Sequence, residues 1–126
     1  MKKTDDLILG HVSFEILSAA FEVHNTLGSG FLEKVYQNAM VFEMAGRSLK
    51  VDTQKEIQVF YKNNLVGSYY ADLMVNEEVI VELKAVETLI KSHEAQLLNY
   101  LKATKIKLGL LINFGKDRVE HKRFVL

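Results

Sequence analysis

Two consecutive apolar runs, Tyr70-Ala71-Asp72-Leu73-Met74-Val75 and Val79-Ile80-Val81-Glu82-Leu83-Lys84, joined by the polar triplet Asn76-Glu77-Glu78, constrain this chain more than any other feature. Short apolar runs rich in β-branched residues and bounded by a polar turn read as buried strands. A carboxylate inside such a strand is costly unless something pairs with it, and here Asp72, Glu82 and Lys84 interrupt the two runs. A three-residue hairpin loop pairs Val75 with Val79 and Met74 with Ile80, which sets Asp72 directly opposite Glu82. Opposed residues have Cβ atoms about 4.5–5.5 Å apart, and the two-residue repeat puts Lys84 on the face of Glu82, beside Tyr70. One divalent cation fits between the two carboxylates. A two-residue loop would slip the register by one and send them to opposite faces.

An Asp on one strand followed by Glu-x-Lys on the next resembles the active site of the PD-(D/E)XK nuclease superfamily. The segment His93-Glu94-Ala95-Gln96-Leu97-Leu98-Asn99-Tyr100-Leu101 carries Gln-x-x-x-Tyr on a helical pattern, similar to the element after the lysine in the exonuclease branch of that superfamily. Upstream, Gly30-Phe31-Leu32-Glu33-Lys34-Val35-Tyr36 is similar to the Gly-x-x-Glu-x-x-Tyr signature of a small bacterial family, GxxExxY, of the same superfamily. The resemblance runs from about Ala20 to Phe124, and extends to Glu22-Val23-His24, Ile80-Val81-Glu82-Leu83-Lys84-Ala85 and Gly109-Leu110-Leu111-Ile112-Asn113-Phe114-Gly115. Two departures concern turn rigidity and leave the chemistry untouched: Ser29 stands where the family commonly has proline, and no proline precedes His93.

The resemblance implies an α+β, restriction-endonuclease-like core, a central mixed sheet flanked by helices in the order α-α-β-β-β-α-β-β. It implies hydrolysis of phosphodiester bonds in nucleic acid, DNA before RNA, with Mg²⁺ or Mn²⁺ as cofactor. Asp72, Glu82, the Leu83 carbonyl and Glu33 are the implied metal ligands. Lys84 joins Asp72, Glu82 and Glu33 as a catalytic residue, orienting or deprotonating the attacking water and offsetting charge on the phosphate. Gln96, Tyr100 and His93 are the implied substrate contacts.

Each of these residues also has an ordinary reading. Asp72 and Glu82 can be a buried hydrogen-bonded pair, Lys84 a lysine neutralising Glu82, and Glu33 a solvated helical acid. Gln96 and Tyr100, four apart on one helical face, can cap a core stripe of Leu97, Leu98 and Leu101. His24 reads as a packing residue, and no His spacing suits zinc. Two facing carboxylates without a cation repel, so that one stays protonated; a hard, oxygen-liganded ion removes the conflict.

At 126 residues the chain is expected to form one domain over 1–126, with 1–10 loosely ordered. A composition 48% apolar and 25% charged is that of a soluble globule. The absence of cysteine excludes disulfides and thiolate metal sites. No apolar run approaches the ~18 residues of a membrane span, and Met1-Lys2-Lys3-Thr4-Asp5-Asp6 does not read as a signal peptide, so a cytoplasmic location is expected. Formal net charge is zero, unusual for a stand-alone nucleic-acid binder. That neutrality favours a rival reading, a non-catalytic binding or accessory module that keeps the nuclease fold. The charge is uneven: Lys102, Lys105, Lys107, Lys116, Arg118, Lys122 and Arg123 face only Asp117 and Glu120 in the last stretch, a segment that can follow a phosphate backbone or simply be a solvated surface. With so little chain outside the core, sequence-specific recognition would call for a homodimer or a partner protein.

Apolar spacing predicts a helix from His11 to Leu27 ended by Gly28, and a second from about Phe31 to Ala45 with Gly46 at C′. Strands are predicted around Ile57–Tyr61, from the Lys62-Asn63-Asn64 turn to Val75, and at Val79–Lys84. A helix N-capped by Ser92 runs to about Ala103, and Lys107–Phe114 and Val119–Val125 close the sheet.

Overall fold

The structure, a computed structural model, describes residues 9–126; the first eight residues of the segment expected to be loosely ordered lie outside the described residues. The elements are α1 (Gly10–Leu27), α2 (Glu33–Ala45), β1 (Val51–Tyr61), β2 (Asn64–Val75), β3 (Val79–Lys84), α3 (Lys91–Thr104), β4 (Leu108–Asn113) and β5 (Glu120–Val125). The strands form one mixed sheet in the order β1-β2-β3-β4-β5. Only β3 and β4 are parallel, and α3 is the crossover that such a pair requires. The order of elements and the mixed sheet are those expected.

The parallel pair is the buried centre: β4 is buried throughout and β3 everywhere but Lys84, as continuous apolar runs demand when both faces are covered. On one face Ile16, Ala20 and Val23 of α1 and Tyr36, Met40 and Met44 of α2 pack on Leu73, Val81, Leu83, Leu110 and Ile112. On the other, Leu97, Tyr100 and Leu101 of α3 pack on Ile57, Met74, Ile80 and Leu111. Gly109 lets α3 come close, since a Cβ there would meet Leu97 Cδ1 at 2.9 Å.

Three local expectations are corrected. Ser92 does not cap α3; the helix begins two residues earlier, at Lys91 with Ile90 as N-cap, and His93 Nδ1 accepts the Ile90 N–H at 3.1 Å. Gly46 keeps right-handed φ, and the left-handed residue after α2 is Ser48. The turn between β1 and β2 is the pair Lys62-Asn63, both at positive φ, as a two-residue hairpin with strand-matching twist needs, so Asn64 already pairs with Tyr61.

The decisive hairpin has the expected register, with Val75 opposite Val79, Met74 opposite Ile80 and Leu73 opposite Val81. Its turn is fixed from outside, because Asn76 donates its N–H to the Lys50 carbonyl (2.7 Å) and accepts the Lys50 N–H on Oδ1 (2.9 Å).

Candidate active site

Beyond Leu73 and Val81 the β2–β3 ladder opens, and two carboxylates fill the gap. The Asp72 N–H donates to Glu82 Oε2 at 2.8 Å, and the Leu83 N–H donates to Asp72 Oδ2 at 2.8 Å. Each acid thus replaces a backbone acceptor on the opposite strand, which satisfies amides that the opened ladder would leave unpaired. On the other side of β2 the ladder is interrupted at the same level: Gln54, across from Asp72, has φ 49° and is skipped in the pairing.

Glu82 is 3% exposed. Burial, and then the neighbouring Asp72 charge, push its carboxyl up to about 8, against the opposing pull of the Asp72 N–H and Lys84. Glu33, in the first turn of α2, is also raised, first by burial and then by Asp72, while Lys84 lowers it. Asp72, Glu82, Glu33 and Lys84 therefore act on one another's charge. The same lysine lowers His93, after burial has done so. Tyr100 is raised by burial and then by Glu82, with its phenol accepting from Gln96 Nε2 at 2.9 Å. Leu83 itself is a core residue whose side chain is fully buried.

Tyr70 does not accompany Lys84; it is exposed, on the part of β2 that pairs only with β1. Among the described residues no three His, Cys, Asp or Glu side chains stand together as a ready metal cage. The donor chemistry nevertheless fits a hard divalent cation: the facing pair is all oxygen, and one member resists ionisation in a way that a neighbouring cation would reverse.

Several supporting residues were not singled out from sequence. Asn113, fully buried at the end of β4, accepts the Val86 N–H and the Gly115 N–H, both at 3.0 Å, and donates to the Val86 carbonyl (2.8 Å) and Glu120 Oε1 (3.1 Å). All four of its hydrogen-bonding directions are satisfied. With the Phe114 N–H on the Lys84 carbonyl (2.8 Å), this clamps the chain that leaves β3 just after Lys84. A polar residue in an apolar run is the signal that marked Asp72 and Glu82, and it was equally present at Asn113.

The Gly-x-x-Glu-x-x-Tyr segment acquires a physical account. Gly30 sits at φ 110°, closed to L side chains without strain. The Tyr36 hydroxyl donates to the Gly28 carbonyl (2.6 Å) and accepts the Phe31 N–H (3.2 Å), while its ring stacks on Phe114 at 4.6 Å between centroids. The tyrosine thus fixes the loop from which α2 delivers Glu33. Tyr36→Phe is expected to cost about 1–2 kcal/mol, since two backbone groups lose one shared partner; urea unfolding measures it, and an unchanged midpoint would refute the bracing role. His24 is the packing residue expected, stacked against Phe114 with Nε2 2.8 Å from the Lys116 carbonyl oxygen.

The crystal structure of SSO0001 shares the fold, with a TM-score of 0.59 and 15% identity over 73% of this chain and 48% of that one. The chain spans about half the length of that protein. No curated protein matches the chain. A family model of the PD-(D/E)XK nuclease superfamily matches residues 10–124, and over that span, with a mixed sheet that opens at an Asp and a Glu-x-Lys, the chain belongs to the PD-(D/E)XK nuclease superfamily.

Proposed function

We propose that this domain is a Mg²⁺- or Mn²⁺-dependent nuclease of the GxxExxY type that hydrolyses phosphodiester bonds in DNA. The observation that carries the reading is the opening between β2 and β3, where Asp72 and Glu82 meet within reach of the Lys84 and Glu33 charges. Asp72, Glu82 and the Leu83 carbonyl, joined by Glu33, would hold the cation, which when bound polarises the phosphoryl oxygen and lowers the pKa of water. Lys84, having only N–H donors, orients the attacking water and balances the charge that builds on the phosphate oxygens. Gln96, Tyr100 and His93 border the centre on the α3 side and contact the substrate backbone. A cytoplasmic setting, and a dimer or partner that supplies sequence selection, complete the reading.

Neutral net charge supports a second reading, a module that binds without cutting. Part of the C-terminal basic excess is already engaged, Lys122 with Glu94 and Arg123 Nη1 with Ser13 Oγ.

The test compares wild type, Lys84→Ala and Glu82→Ala on plasmid and on linear single- and double-stranded DNA with Mn²⁺. Lys84→Ala is expected to keep metal binding by calorimetry while losing about 10²–10³ in rate, as when one preorganised charge at a reacting centre is removed; Glu82→Ala is expected to lose both. Cleavage by Lys84→Ala at the wild-type rate would place the activity elsewhere. A wild type inert on every substrate would select the binding module.

A further inference from the structure

Alongside the candidate centre, a groove of about 730 Å³ runs between α3 and the outer part of the β1–β2 hairpin. Its walls are aromatic and amide-bearing, its only charged lining residues are Lys102 and Lys105, and no carboxylate lines it. Tyr100, almost completely buried, joins the groove to the site, since Glu82 and Asp72 both act on it. Tyr69 leans on Tyr100 with ring centroids 5.8 Å apart yet remains 52% exposed, and Phe60 is 58% exposed. Two large aromatic surfaces thus stay in water beside a cationic rim.

Nothing within the described fold covers these rings, and the electrostatics select an anionic occupant. A double helix can offer phosphates to the lysines, but its base faces are already stacked. An unpaired strand offers both, phosphates for the rim and π-faces for the rings, which is the combination used by proteins that bind single strands. We infer that this groove binds single-stranded nucleic acid, seating bases on Tyr69 and Phe60 with the backbone along Lys102 and Lys105, and feeds the strand to the Asp72–Glu82 centre. The inference deepens the nuclease reading and, in its cleavage arm only, rests on it.

Binding is measured without metal, in EDTA, by anisotropy of fluorescein-labelled oligothymidylate, the matching duplex and an oligouridylate of equal length. The single strands are expected to bind at least about tenfold tighter than the duplex. Tyr69→Ala should weaken single-strand binding by about 5- to 150-fold, the range for one lost stacking platform, and leave duplex binding unchanged, while Tyr69→Phe retains wild-type affinity. Lys102→Ala should lower the salt dependence by about 0.7 in log–log slope. Tyr69 is half exposed, and an unchanged melting temperature confirms that its variants fold. Equal affinity for duplex and single strand, or no effect of Tyr69→Ala, overturns the proposal even if wild type cleaves DNA. Single-strand binding lost in Tyr69→Ala, by a wild type that cleaves nothing, upholds the groove and refutes only the nuclease reading. The uridylate arm decides between ribose and deoxyribose backbones.

Discussion

In metal-free buffer the protein is expected to lose stability steadily as pH rises from about 5 to about 8, and Glu82→Gln to remove most of that slope. Glu82 starts from an ordinary value of 4.5 in the unfolded chain and is held at about 8 in the fold by burial and by Asp72. Between those limits the native state binds a proton that the unfolded state has released, so stability falls with pH by up to about 1.4 kcal/mol per unit. Below the window both states are protonated, and above it both are ionised, so the profile flattens at each end. The loss across the window is on the order of 4 kcal/mol, a large share of the 5–15 kcal/mol typical of a domain. Glu33, also raised, contributes in the same sense, and His93, lowered, in the opposite one; the difference between wild type and Glu82→Gln isolates the buried acid. Urea unfolding in EDTA at half-unit pH steps measures it. Saturating Mg²⁺ should restore stability at the alkaline end of wild type through binding to the native state alone. Parallel profiles for the two proteins would mean that Glu82 is ionised in the fold without penalty.

Gly115→Ala is expected to destabilise the fold by more than about 4 kcal/mol, the exceptional end of the range for one substitution. A Cβ at Gly115 would lie 2.2 Å from the Val86 carbonyl oxygen and 2.5 Å from its nitrogen. These are backbone atoms pinned by Asn113, so no side chain can swing aside. Relief requires β4 and the segment after Lys84 to separate, which breaks the Asn113 clamp as well. Gly109→Ala is the control: there the added carbon meets the ends of Leu97 and Leu101, which can repack, so the cost should stay within the usual ~1–3 kcal/mol of overpacking. Denaturant midpoints of the two variants make the comparison. Equal, small shifts would show that the Val86 segment moves freely.

Most of the architecture was legible because it depends on short-range pattern. The two-residue repeat on either side of Asn76-Glu77-Glu78 dictated that Val75 faces Val79, and the same count carried Asp72 to Glu82, since a hairpin's register is a local property of loop length. Helix ends were less legible. Ser92 is the better cap by intrinsic preference, yet the chain turns at Ile90 and the His93 side chain, in the first turn, supplies the acceptor.

What the sequence by itself determined was the alternation of elements, the register of the central hairpin and the identity of the residues that oppose across it. Only the tertiary structure decided that the ladder splits at that point, with each carboxylate taking the other strand's amide. Tertiary structure also decided that Asn113 and Gly115 close on Val86, that Tyr36 braces the loop ahead of Glu33, and that Tyr69 and Phe60 wall a groove with α3. The physical reason is range: burial period and turn length act over a few residues, whereas desolvation, backbone-to-backbone approach and aromatic packing depend on partners tens of residues away, such as Asn113 and Val86 at a separation of 27, whose proximity exists only once the sheet has closed.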